Sequence, residues 1–173
     1  MRTTILILSI FFFLASAFTQ TDPDSKSENE KRRAAAKEIM TEAWICAMIT
    51  QDSTGLMNVR TMQPFSPEED LTVWFGTNAL SRKVQDIKAN DNIVLYYTST
   101  DASGYVVLHG KADLIDDDGL KQKYWMESWA DFYPDRSLFL LIKFVPESIE
   151  ILSNKHQITS DSPSWRVPAI NLK

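Results

Sequence analysis

The chain has 173 residues, enough for one domain with its own core, and its 44% hydrophobic and 24% charged residues place it in the soluble globular class. A formal net charge of −5 with no basic stripe excludes a general nucleic-acid binder, because affinity for a phosphate backbone needs a positive footprint. The single cysteine, Cys46, excludes an intrachain disulfide, and the two histidines, His109 and His156, lack the spaced partners of a metal site.

Taken in order, the chain opens on Met1-Arg2, an apolar run from Ile5 to Leu14, and the small-x-small Ala15-Ser16-Ala17. That pattern predicts a secretory signal peptide over residues 1–17 and export to a periplasm or the exterior. The apolar run is shorter than the roughly 20 residues of a membrane span, so no stable insertion is expected after cleavage. The alternative is an uncleaved N-terminal anchor. A polar linker is expected over 18–27, a main domain over 28–153 and a polar tail over 154–173.

Within the domain, Glu28 to Thr41 is rich in Ala, Lys, Glu and Arg. Ala35, Ile39 and Ala43 share one face, as in an amphipathic helix. Trp44 to Thr50 reads as a buried strand holding Cys46 as a small hydrophobe. Gln51 to Gly55 is a turn cluster, and Leu56 to Met62 completes a hairpin whose one cation is Arg60. Leu71 to Phe75 alternates as a strand, and a helix runs from Ser81 to about Ala89. Strands are expected over Ile93 to Thr98 and Tyr105 to Ile115, followed by a solvated turn at Asp116 to Gly119. The triple Asp lacks the spaced ligands of a calcium loop. Leu120 to Ala130 reads as a helix carrying Tyr124, Trp125 and Trp129. Leu138 to Val145 and Ser148 to Leu152 read as two strands interrupted by Pro146. Short antiparallel strands with few helices predict a mainly β, α+β fold, an antiparallel split β-barrel with flanking helices.

The stretch Thr77-Asn78-Ala79-Leu80-Ser81-Arg82-Lys83 joins a strand to a helix start and carries hydroxyls and two cations. The unpaired N–H groups of a first helical turn and the helix dipole both favour an anion there. The competing reading is an ordinary helix start with two solvated cations. Arg60, from another strand, either joins that anion site or pairs with an acidic neighbour.

The Thr77-Asn78-x-x-Ser81-Arg82-Lys83 element, with Asn92-Ile93-Val94-Leu95-Tyr96-Tyr97 after it, resembles the flavin-binding split-barrel proteins. These include the pyridoxamine 5′-phosphate oxidases and the related general stress proteins. The resemblance extends through Thr50-Gln51-Asp52, Gly110-Lys111-Ala112, Phe132-Tyr133-Pro134-Asp135 and Lys143-Phe144-Val145-Pro146-Glu147-Ser148-Ile149-Glu150. It implies a homodimer with FMN in the cleft between subunits. It implies that Arg60 and Lys83 pair with the FMN phosphate, that Ser81 and Arg82 lie beside them, and that Thr77 sits near the ribityl or ring portion. It also implies that aromatic residues of Leu120–Ala130 help form the dimer or cover the ring.

Two departures narrow the activity. The stretch Thr61-Met62-Gln63-Pro64-Phe65 lacks the lysine that holds a substrate phosphate in the true oxidases, and Trp165-Arg166 lacks a nearby histidine. Both departures count against a strict pyridoxamine phosphate oxidase, and the resemblance otherwise implies a flavin-dependent oxidoreductase. The alternatives are a non-catalytic flavin binder for storage, sensing or stress, or a barrel that takes haem or a deazaflavin. His109 is the one proton-transfer candidate, set against a plain sheet histidine.

Overall fold

The computed structural model describes residues 23–173, so the expected signal peptide of residues 1–17 lies outside the described residues. The first helix, α1 (Pro23–Glu42), begins earlier than its apolar spacing suggests, and residues 23–27 of the expected linker are helical. Its buried face is Ala35, Ala36, Ile39, Met40 and Ala43, which rest on the sheet. No helix among the described residues is long and apolar enough to cross a membrane.

Seven antiparallel strands follow: β1 (Cys46–Gln51), β2 (Met57–Met62), β3 (Val73–Asn78), β4 (Asn92–Thr98), β5 (Gly104–Ile115), β6 (Phe139–Ser153) and β7 (Ala169–Asn171). Helix α2 (Arg82–Ala89) joins β3 to β4. The strands form one sheet in the order β2-β1-β4-β5-β6-β3, with β7 added on β6. The sheet curls around its core without closing, because β2 and β3, its two ends, share no ladder. This is the split barrel expected from the sequence.

Alternation places Cys46, Met48, Leu95, Tyr97, Val106, Leu108, Phe75, Phe144, Ile149 and Ile151 on the inner face. Cys46 is buried there, and desolvation pushes its thiol up to about 12. A second cluster covers the other face of the β3–β6 pair. Trp74, Phe139 and Leu141 are buried there beneath Phe65, Tyr124, Trp125, Trp129 and Tyr133. Trp74 stacks on Tyr124 with ring centroids 5.0 Å apart.

Four segments depart from the sequence reading. Trp44 is 73% exposed and precedes the strand, because the buried alternation begins only at Cys46. The helix expected over Leu120–Ala130 is broken into α3 (Asp118–Tyr124) and a 3-10 turn, Glu127–Trp129. Its aromatics pack on an adjacent strand pair, which a straight helix could not follow. The two strands expected around Pro146 are one, β6. His109 pairs with Ser148 while Gly110 pairs with Pro146, so Glu147 is extruded as a bulge and the proline's missing N–H breaks no ladder bond. A Cβ on Gly110 would stand 2.3 Å from the Val145 carbonyl oxygen, so this close crossing needs glycine. Finally, the expected tail is structural: Ile158 and Ile170 are buried, and Ala169–Asn171 pairs with Ser148–Glu150.

Candidate functional site

The turn from β3 into α2 is organised by Asn78 and Ser81. Asn78 Oδ1 accepts from the Leu80 N–H at 2.9 Å, and its carbonyl accepts from the Ser81 N–H at 2.9 Å. Ser81 is the N-cap residue of α2, yet its hydroxyl makes no cap bond to the helix. It lies 3.2 Å from Thr77 Oγ1 instead. The first-turn N–H groups of α2 therefore receive no side-chain cap from Ser81.

Lys83 reaches back from α2 and donates to Thr77 Oγ1 at 3.1 Å. No carboxylate lies within 4.0 Å of its ammonium among the described residues. Burial and then the nearby Arg60 guanidinium hold the Lys83 pKa below its ordinary value. Two cations kept close without an acid for one of them are electrostatically unfavourable unless an anion joins them. Arg82 is exposed at the helix start.

Arg60 has both of the partners that the sequence left open. It belongs to this cluster, and it also pairs with an acid. Its Nη2 donates to Asp86 Oδ2 at 3.1 Å and its Nη1 to Thr50 Oγ1 at 2.8 Å. Asp86 Oδ2 accepts from Thr50 Oγ1 at 2.6 Å and Asn58 Nδ2 at 3.3 Å. Asp86 is buried at 2% exposure, so Arg60 compensates its charge while its hydrogen bonds hold the guanidinium on the inner face. Sequence reading missed Thr50, Asn58 and Asp86. The available signal was Asp86 lying between the buried Val84 and Ile87 of α2.

The structure thus brings Arg60, Thr77, Ser81 and Lys83 together from three elements, with Arg82 at the rim. Counting charged side chains gives three cations against one carboxylate, a net positive site on an acidic chain. A separate cleft of about 240 Å³ is lined by Met62 and Gln63 at the end of β2, by Gly76, whose position alternates with Thr77 to the other face of β3, and by Trp129, Phe132 and Tyr133. A Cβ on Gly76 would stand 2.5 Å from the Trp129 ring, so glycine lets that indole lie against β3.

His109 is elsewhere. It is exposed on β5, with Nε2 3.7 Å from Glu150, and no contact joins it to this cluster. His156 joins Ser153 and Glu38 at the far end of α1, at 2.8 and 3.2 Å. The described residues hold no group of three or more potential metal ligands.

Residues 31–160 match the family model described as pyridoxamine 5′-phosphate oxidase like. The chain belongs to the pyridoxamine 5′-phosphate oxidase-like family. Among solved structures of similar fold is a protein related to general stress protein 26 from Clostridium acetobutylicum, of the pyridoxinephosphate oxidase family. The TM-score is 0.67 at 19% identity, over 82% of this chain and 95% of that one. General stress protein 26 from Bacillus anthracis gives 0.60 at 23% identity, over 69% and 92%. A heme-binding protein from Mycobacterium smegmatis gives 0.61 at 11% identity, over 82% of this chain and 57% of that one. No curated protein matches the sequence. For this pyridoxamine 5′-phosphate oxidase-like chain, the structural likenesses establish the split-barrel fold, and the side chains at the barrel opening carry the functional reading.

Proposed function

We propose that the protein binds FMN at the barrel opening and serves as a flavin-dependent oxidoreductase. The observation that carries this reading is the Arg60–Lys83 pair, two inward cations of which only Arg60 is paired with a buried carboxylate, at the start of α2 that Ser81 leaves without a side-chain cap. The donor set fits a phosphate monoester: Lys83, Arg82, the free Arg60 N–H groups, the Ser81 hydroxyl and the first-turn amides of α2 are all donors. Each charge-assisted hydrogen bond of this kind contributes about 1.5–3 kcal/mol. Thr77 Oγ1 contacts both the Lys83 ammonium and the Ser81 hydroxyl, so it belongs to the same donor set. FMN would supply hydride or electron transfer, and the protein supplies orientation and electrostatics. Asp86 keeps Arg60 aimed inward, and Lys83 supplies charge.

The outer face of β2-β1-β4-β5 supports a homodimer. Val59 and Met57 are 64% and 53% exposed, and Tyr96 stacks on Tyr105 beside Val94 and Val107. An exposed apolar sheet face of this kind marks an association surface. Export, proposed from residues 1–17, would mean that FMN is acquired after translocation.

The test is a fluorescence titration of the full chain with FMN and riboflavin. FMN is expected to bind more tightly by roughly two orders of magnitude, the share of two charge-assisted bonds. The double variant Arg60→Ala, Lys83→Ala is expected to lose that preference while remaining folded by circular dichroism. Equal binding of FMN and riboflavin by the wild type, or full FMN retention by the double variant, removes the assignment.

A further inference from the structure

The state of the Lys83 amine has a consequence beyond charge. Lys31, Lys37, Lys111, Lys121, Lys155 and Lys173 each lie within 4.0 Å of a carboxylate. Lys83 does not. It is half-buried, its one hydrogen-bond partner is the neutral Thr77 hydroxyl at 3.1 Å, and Arg60 faces it. Burial and a neighbouring cation both favour the free, nucleophilic amine over the ammonium. Beside it stand the Ser81 hydroxyl, exposed Arg82 and the start of α2, which attract an anion.

We propose that, before cofactor occupies the cradle, Lys83 captures small phosphorylated aldehydes as imines. This rests on the reading of the β3–α2 turn as an anion cradle. The phosphate docks on Arg82 and the helix start, which holds the carbonyl near Nζ and turns an encounter into a local reaction. The Nζ lone pair attacks the aldehyde carbon, and the carbonyl π pair moves to oxygen. One proton passes from nitrogen to that oxygen, giving a carbinolamine. Loss of its hydroxyl with the remaining N–H proton as water leaves the C=N bond. No oxidant or reductant is needed. The Thr77 and Ser81 hydroxyls, 3.2 Å apart, form a path for the protons. A phosphate of FMN in the same place would favour the Lys83 ammonium and occupy the docking position, so cofactor loading and aldehyde capture exclude each other.

The experiment incubates the full chain, in phosphate-free buffer, with glycolaldehyde phosphate or glycolaldehyde and sodium cyanoborohydride. The reagent delivers hydride to the imine carbon and fixes each adduct as a secondary amine for peptide mass mapping. Lys111 and Lys155 are the internal references, since Asp91 and Glu38 raise their pKa values. Lys83 is expected to label roughly tenfold faster than either with the phosphorylated aldehyde. It should lose that advantage with glycolaldehyde, and inorganic phosphate or FMN should block it. Lys83→Arg, which keeps the charge but has no primary amine, should lose this adduct alone. Labelling of Lys83 no faster than the references, or equal labelling by the two aldehydes, overturns the proposal, and does so without touching the FMN reading if FMN still binds. Fast labelling that phosphate blocks and FMN does not supports the proposal and removes the FMN reading instead.

Discussion

At the scale of single residues, the site is governed by how charge is compensated in a poorly solvated place. Asp86 is buried and satisfied by Arg60, Thr50 and Asn58. Asp86→Ala would leave Arg60 without its ionic partner, and breaking a buried pair from one side costs about 3–5 kcal/mol. A urea melt should show that loss, and Asp86→Asn, which keeps an acceptor, should lose less. Lys83 behaves oppositely. Its lowered pKa means that the folded protein holds this proton less tightly than the unfolded chain. In the ligand-free protein its contribution to stability therefore rises with pH, from the depressed folded pKa up to the ordinary 10.5. Replacing it by Met is expected to raise Tm by about 2 °C in phosphate-free buffer, since a partly solvated charge contributes on the order of 1 kcal/mol or less. The same variant should gain no stability from added FMN. Cys46, pushed up to about 12 by burial, should resist a thiol reagent at pH near 8 in the native protein and react once unfolded. Tyr97 is raised too, by burial and then by Cys46.

At the scale of elements, two glycines test how rigid each contact is. At Gly110 a new methyl would meet the Val145 carbonyl at 2.3 Å and the Pro146 Cα at 2.8 Å, both backbone atoms of the bulged β6. At Gly76 it would meet the Trp129 ring at 2.5 Å, a side chain on a short 3-10 turn. Overpacking costs typically about 1–3 kcal/mol, and more where backbone must move. Gly110→Ala should therefore lower the urea midpoint more than Gly76→Ala. Gly76→Ala should change tryptophan fluorescence and the aromatic cleft instead, because Trp129 must swing away. The hairpin β1–β2 and the turn into α2 were legible in the sequence, since alternation and turn residues are local signals. The single long β6 was not, because a proline is permitted in a strand only when a bulge and a facing glycine accept it, and that is a pairing fact.

At the scale of the whole molecule, the sheet has an inner face that is filled and an apolar outer face over β2, β1 and β4 that the described residues leave uncovered. Val59 stands opposite Ile49, which stands opposite Val94. Val59→Asp would place a charge in the middle of that face. If copies associate there, the variant should run as a monomer by light scattering while the wild type runs as a dimer. A single buried carboxylate at such an interface typically costs several kcal/mol of association. An FMN affinity that falls with the dimer would show that the cleft is completed by the second copy.

The sequence by itself determined a mainly antiparallel domain, from local periodicity, and an anion-binding chemistry for the Ser81-Arg82-Lys83 turn, from residue types at short spacing. The split-barrel family, and Arg60 and Thr77 as companions of that turn, came from the resemblance of its motifs. Only the tertiary structure decided which acid holds Arg60, because Asp86 lies 26 positions away and any of several acids could have served. Folding alone also brought the polar C-terminal segment back as β7 and broke the aromatic helix over Trp74 and Phe139. Those outcomes depend on which surfaces the curled sheet leaves bare, and a bare surface exists only once distant strands have paired.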